Sequence, residues 1–342
     1  MKLVKKILLL LNIVVIILTL LSYLTPYIDP SKFWFFSFFG LLFPAIILSN
    51  ILFVILWFFV DRKRLLLSLI VLLIGYNDIK KIIAFHFNDF DKEKGFTVLS
   101  YNMNQGSRLY HQKVKKGDFG NYIKQQSADL VLGQEINSKL IKKEIAGTNS
   151  YPYKHVEKNL GTGIYSKFPI VNTGKIDFQL NTNSCVWADI VVDKDTIRAY
   201  SVHFMSNQIS KQTADIAKDF GNEEDLDTKK VKVVLSRYKK YVQVRARQVK
   251  KVRKHILTSP YPVVLGGDFN DPSISYTYQQ LSGVLKDAFI EKGYGMGISY
   301  AGAIPLLRID NILVSKQLTV LAFKKINGEF SDHYAIKAKL KL

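Results

Sequence analysis

VVLGGDFNDP, residues 263–272, decides how this chain is read. A short apolar run up to Leu265 leads straight into Gly266 and Gly267, and Asp268 and Asn270 follow two positions apart. A β-branched run of this length bounded by glycine reads as a strand. The glycines predict close backbone packing and a turn as the strand ends. Alternation by two would then point Asp268 and Asn270 the same way.

The same design recurs along the chain. FTVLSYNMN (96–104), ADLVLGQE (128–135), TGIYSKFPIV (162–171), IRAYSVHF (197–204) and IDNILVS (309–315) are apolar runs of strand length that end in polar residues. Between them, Val231 to Leu257 repeats apolar residues at three- and four-residue steps and predicts a helix. Twelve Lys and Arg lie among residues 229–254, mainly on its other face. Strands alternating with helices predict an α/β domain in which helices cover sheet. Residues 205–230 read as a polar insertion loop, and no internal repeat is visible.

The first third is different. Residues 7–24 are 18 uncharged apolar residues and 33–60 are 28 more, interrupted by Pro44. A shorter run follows at 65–76. About 20 apolar residues cross a bilayer core, so the pattern predicts two to three transmembrane helices, with three favoured. Residues 1–94 would form the anchor and 95–342 a globular domain. Lys2, Lys5, Lys6, Arg62, Lys63 and Arg64 fall on one side of such an arrangement. The positive-inside bias places that side in the cytoplasm and the large domain outside it.

The chain carries a net charge of +20, of which residues 1–94 hold +5 and the remainder +15. A domain that basic attracts polyanions or anionic membranes. Cys185 is the single cysteine, which excludes an internal disulfide and a cysteine-based metal cluster.

The strand-terminal polar residues are Asn102, Glu135, His203, Asp268, Asn270, Asp310, Asp332 and His333. Singly, each is a common turn former or surface residue. Together they offer carboxylates, amides and imidazoles without thiols, a set suited to Mg²⁺ or Mn²⁺. The histidines add acid/base capacity. The order of residues fits neither a Ser-His-Asp triad nor a P-loop. The set points to hydrolysis by an activated water, with phosphodiester or phosphomonoester cleavage the natural candidate.

SYNMN, QE, VHF, GGDFN, RIDNILVS and SDHYAIKAKL occur in an order and spacing that resemble the endonuclease/exonuclease/phosphatase superfamily over about residues 96–342. The resemblance implies a four-layer α-β-β-α sandwich of two mainly antiparallel sheets, with the site at the strand ends between them. It implies metal contacts from Asn102, Glu135 and Asp332. Asp268 would handle the nucleophilic water or leaving oxygen, Asn270 the phosphate, and His333, oriented by Asp310, would act as acid/base. His203 resembles the second histidine of the deoxyribonuclease and sphingomyelinase branches. The acid paired with that histidine has no counterpart in NLGTGIYSK (159–167), which leaves Glu157 as a nearby substitute.

Three functions fit these residues. The leading one is a membrane-anchored, metal-dependent phosphodiesterase acting on nucleic acid, since polyphosphate binds basic surfaces by counterion release. The alternative is a phospholipase C- or sphingomyelinase-like hydrolase, or a phosphoinositide phosphatase-like one, acting on phospholipid headgroups. The third is a non-catalytic membrane-bound scaffold. Oligomeric state is not readable from the chain.

Overall fold

The computed structural model describes residues 2–87, 89–90, 92, 94–108, 115–157, 161–179, 183–206, 228–302 and 306–342; most of the polar insertion expected at 205–230 lies outside them. The apolar front end is helical. Helix α1 spans Lys2–Leu24, beginning among the lysines that precede the apolar run. The 33–60 stretch is interrupted: Asn-like capping by Asp29, which accepts from the Ser31 amide at 2.8 Å, opens a single turn at Pro30–Phe33. A second turn, Trp34–Phe36, precedes α2 (Ser37–Val60), which contains Pro44. Asp61 is extended, at φ −163, and reverses the chain into α3 (Arg62–Ile74).

These helices bury polar groups and expose apolar ones. Trp57 Nε1 donates to Asn12 Oδ1 at 2.9 Å, Asn12 Nδ2 to Ser68 Oγ at 2.7 Å, and Asn50 Nδ2 to Thr19 Oγ1 at 2.7 Å. Side-chain hydrogen bonds of this kind join helices where the surroundings cannot supply a hydrophobic drive. Only 17% and 28% of the apolar windows in 2–27 and 30–60 are buried. Both are long and apolar enough to cross a bilayer. The third expected span is shorter: α3 has 13 residues, about 20 Å, and the chain carries on through Gly75 and a turn at Tyr76–Ile79, where Ile79 joins Tyr23 and Phe43 at the end away from the lysines. All three helices run between a basic end, where Lys5 Nζ reaches the Val60 carbonyl (3.1 Å) and Arg64 reaches that of Lys5 (3.0 Å), and an end that packs on Ile274, Tyr238 and Val242 of the globular part.

The remainder holds two six-stranded sheets and a two-stranded ribbon. The ribbon pairs β1 (Ile83–Phe85) with a strand at Tyr294–Met296, so the chain enters the sheet-bearing part directly after the helices. One sheet is built around β2 (Phe96–Asn102) and β3 (Leu130–Gln134), which are parallel and linked by a helix at Asp118–Gln125. Its outer strands are β4 (Tyr153–Val156), β5 (Thr162–Ser166), and two C-terminal strands at Thr319–Ile326 and Ala335–Lys341. In the other, β6 (Ile170–Ile176) and β7 (Ser184–Val192) lead to β8 (Asp195–His203). The strand β8 lies parallel to β9 (Val263–Asp268), and a long basic helix at Thr228–Leu257 links them. A short strand, β10 (Lys286–Asp287), and an antiparallel neighbour at Asp310–Val314 complete the sheet. All other pairings in both sheets are antiparallel.

TGIYSKFPIV, expected as one strand, is two strands of different sheets. Ser166 Oγ accepts from the Phe168 amide at 2.9 Å, and Pro169 has no amide to continue the ladder. The layers follow from period-two burial. Inner-face residues such as Val98, Leu132, Ile190, Ala199, Val264 and Ile312 form the core between sheets. The outer face of β9 packs on the long helix, and that of β2 on the helices at 118–125 and 139–147.

Gly266 and Gly267 both lie inside β9, not in a turn. A Cβ at Gly266 would sit 2.6 Å from Leu132 Cδ1 of the opposite sheet, and one at Gly267 would meet the Val202 carbonyl. The expected close packing is present and the expected turn is not. Gly266→Val should therefore force the sheets apart and destabilise the protein by about 1–3 kcal/mol, read as a lowered midpoint of thermal or denaturant unfolding.

Candidate active site

Each inner-face row runs from apolar to small to polar toward the strand end. Val98 is followed by Ser100 and Asn102, Ala199 by Ser201 and His203, and Val264 by Gly266 and Asp268. The small layer lets the sheets approach, so that Gln134 Nε2 reaches Ser201 Oγ across the interface (3.1 Å). Polar groups of the last layer then touch. Registers place His203, Asp268 and Asp310 side by side on three adjacent strands. Asn102, from the other sheet, donates to Asp268 Oδ2 at 2.9 Å and to Glu135 Oε1 at 3.3 Å. The carboxyl ends of parallel strands are where α/β sheets hold ligands, and here two parallel pairs end face to face.

Asp268 is the centre of the cluster. His203 Nε2 lies 3.6 Å from Glu135 Oε1 and 3.7 Å from Asp268 Oδ2. His333 Nε2 lies 3.8 Å from Asp268 Oδ2, while its Nδ1 is 2.8 Å from Asp310 Oδ2. The acid beside His203 is thus Glu135 together with Asp268; Glu157 instead faces Lys175 at 3.6 Å. Both ring nitrogens of His203 are buried and unpartnered among the described residues. A buried polar atom without a partner costs free energy, so these nitrogens mark a place for a further group.

Two residues reach the cluster through backbone conformation, not pleat alternation. Glu135, at φ 52, turns left-handed just beyond β3, which brings its side chain to the inner side beside Asn102. Asn270 is also left-handed (φ 52), a conformation asparagine tolerates. The strand ends at Asp268, so alternation does not aim Asn270 as expected. Its amide N donates to Asp268 Oδ1 at 2.8 Å, and its Nδ2 donates to Asp268 Oδ2 and to the Phe204 carbonyl, each at 3.0 Å.

Electrostatics separate the roles. Burial raises the Asp268 carboxyl to about 6, Asp310 adds to the rise, and the two histidines oppose it. Burial alone would lower His333, yet the Asp310 and Asp268 carboxylates outweigh it and hold the imidazole up to about 10. His333 is therefore a cation at neutral pH, poised to donate from Nε2.

The oxygens suited to a hard cation are those of Glu135 and Asn102, with Asp332 joined to them through Asn104. The Asn104 amide donates to Asn102 Oδ1 (3.0 Å) and its Nδ2 to Asp332 Oδ1 (2.7 Å). Asp268, Asp310 and His333 also lie close enough together to hold an ion. His333 Nδ1 is already engaged by Asp310, so this trio reads as an oriented acid/base set. An all-oxygen donor set, with Glu135 partly open to solvent, fits Mg²⁺ or Mn²⁺.

Several supporting residues gave no sequence signal. Ser331 Oγ donates to the Asn102 carbonyl (2.7 Å), and Ser299 Oγ accepts from the Asp310 amide (2.9 Å). The Tyr300 ring stands edge-on to His333 with centroids 5.2 Å apart. Arg245, one of the twelve bases counted in the long helix, is fully buried. Its guanidinium donates to the Met205 carbonyl (2.6 Å) and pairs with Asp271 at 3.2 Å. It ties together the segments that follow His203 and Asp268.

The segment after Asn270 leads to the membrane-length helices. Ile274 packs with Phe43 and Ile47 of α2, flanked by Tyr23 and Leu72. At about 3.5 Å per residue, Asn270 stands no more than about 14 Å from that contact.

A model of the endonuclease/exonuclease/phosphatase family matches residues 99–333. A model of a domain of unknown function matches residues 5–82. Among curated proteins none matches. Solved structures share the fold. Danio rerio TDP2 bound to a single-strand DNA product superposes with a TM-score of 0.53 at 15% identity, over 73% of this chain and 100% of that one. A Bacteroides thetaiotaomicron mannosyl-6-phosphatase gives 0.51 at 17% identity, over 72% and 100%. A conserved Enterococcus faecalis protein of unknown function gives 0.54 at 14%, over 72% and 99%.

Proposed function

Because this chain belongs to the endonuclease/exonuclease/phosphatase family, we propose that it is a membrane-anchored, divalent-metal-dependent hydrolase of phosphate diesters. One observation carries the reading. Asn102 of one sheet meets Asp268 of the other at 2.9 Å, and Glu135, His203 and His333 surround the same carboxylate.

Glu135, Asn102 and Asp332 would hold Mg²⁺ or Mn²⁺, which polarises the phosphoryl oxygen and acidifies water when bound. Asp268, desolvated and raised to about 6, accepts the proton of the attacking water. Asn102 and Asn270 fix the orientation of its oxygens. Both Nδ2 hydrogens of Asn270 are engaged, so we assign it to holding Asp268. His333, kept charged by Asp310, donates from Nε2 to the phosphate or leaving oxygen. His203 supplies a second donor on the opposite side of Asp268.

The helices at 2–24 and 37–60 tether this site to a bilayer. Lys2, Lys5, Lys6 and the 62–64 cluster lie at the far end from the sheets, so the positive-inside rule sets the catalytic end outside the cytoplasm. The +15 charge of the catalytic part favours nucleic acid as substrate. The seat of Ile274 on the helix bundle favours a second class, phospholipid headgroups, because it holds Asn270 near headgroup height.

Full-length protein in lipid discs with Mg²⁺, offered oligonucleotides and phospholipids, tests the reading. Hydrolysis of at least one class, abolished in Asp268→Asn, is expected. Folded protein inert toward both classes with Mg²⁺ and with Mn²⁺ would leave the scaffold reading in its place.

A further inference from the structure

The helix Thr228–Leu257 changes environment along its length. From Ala246 onward its apolar side is part of the core behind β9. Its earlier turns meet the membrane-length helices instead. Val234, Tyr238 and Val242 pack with Trp34 and Phe38, and the Tyr238 ring stacks on Phe38 with centroids 4.3 Å apart. Further along, Lys250 pairs with Asp29 at 2.5 Å.

Phe38 belongs to the first turn of α2, so a bilayer that surrounds α2 has its headgroups at the level of Tyr238. Around that level Lys232, Arg237, Lys239 and Lys240 are exposed. Residues 228–257 contain no acidic residue, so nothing within the helix offsets these charges. Apolar Val233 (48% exposed) and Leu235 (38%) stand among them, and Tyr27, Phe33 and Phe35 of the α1–α2 connection are exposed as well. Basic residues interleaved with apolar and aromatic ones at a bilayer surface are the composition of an interfacial helix.

We propose that residues 229–240 form an arm that binds the anionic headgroups of the leaflet from which α1 and α2 emerge. Lys232, Arg237, Lys239 and Lys240 take the lipid phosphates, and Val233 and Leu235 reach toward the acyl boundary. Exposed apolar side chains at membrane height favour this occupant over a nucleic acid, whose backbone offers them no counterpart. Arg245 follows on the same helix and grips the segments beyond His203 and Asp268. A lipid-held arm therefore also fixes the orientation of the catalytic end over the leaflet.

The test uses full-length Leu235→Cys protein carrying an environment-sensitive fluorophore; Cys185 is fully buried and stays unlabelled. In discs where phosphatidylglycerol replaces part of the phosphatidylcholine, emission should shift to the blue, and high salt should reverse the shift. The shift should vanish when Lys232, Arg237, Lys239 and Lys240 are all changed to Gln. Identical emission in neutral and anionic discs, or a shift that survives the fourfold change, overturns the proposal. So does a larger shift when single-stranded DNA is added to neutral discs, which would make the arm a nucleic-acid surface. Retention in carbonate-washed membranes is measured in parallel. Loss from those membranes sinks the membrane reading itself, whereas retention without lipid-charge dependence sinks the arm alone.

Discussion

Asp268→Asn is expected to lower kcat/KM for a phosphodiester by roughly 10³-fold in a protein that still folds. The amide keeps the volume of the carboxyl and removes its capacity to accept a proton. The amide also cannot accept from all of Asn102 and the two nitrogens of Asn270, so the informative stability readout is its dependence on pH. The pKa of Asp268 in the folded protein, about 6, stands above the ordinary 3.8. The folded state therefore binds the proton more tightly than the unfolded chain does. Stability conferred by this group falls as pH rises from about 4 to about 6. His333 is protonated throughout that window and does not obscure it. Thermal midpoints of the two proteins should thus diverge across the window, the Asn form gaining. A folded Asn variant that keeps kcat/KM within about tenfold of the unsubstituted protein would take Asp268 out of the proton transfer.

Glu135→Gln is expected to raise the Mg²⁺ concentration needed for half-maximal activity by at least about 10–100-fold, the range already seen when only a partner of a ligand is lost. Chelation should bring the unsubstituted protein to background, and Mg²⁺ or Mn²⁺ should restore it. Thermal midpoint gives a readout independent of turnover. A cation that binds only the folded form stabilises it by about 2.7 kcal/mol at 100 times its Kd. Mg²⁺ should raise the midpoint of the unsubstituted protein and leave that of Glu135→Gln nearly unchanged. Equal midpoint gains in both would move the cation away from Glu135, and toward the Asp268–Asp310–His333 group.

The strands that end in Asn102, His203, Asp268 and Asp310 were legible because alternation and terminal polar residues are local properties. The short sequence TGIYSKFPIV was misread for the same reason. Its apolar content is continuous, and the change of sheet at Pro169 depends on partners far along the chain. The burial of Arg245 was not legible because helical periodicity marks faces, and a base buried by a distant carboxylate looks like any solvated one.

By itself, then, the order of residues determined which side chains stand at strand ends, what chemistry they can perform together, and that the first third holds helices apolar enough to cross a membrane. Only the tertiary structure decided that two parallel pairs end face to face, separated by a layer no bulkier than Ser100, Ser201 and Gly266. It also decided that left-handed backbone at Glu135 and Asn270 delivers the last groups, and that the segment after Asp268 rests on the membrane-length helices. The physical reason is range. Pleat and helix periodicity act over a few residues, whereas the contact of Asn102 with Asp268 depends on how closely two independently formed sheets can pack.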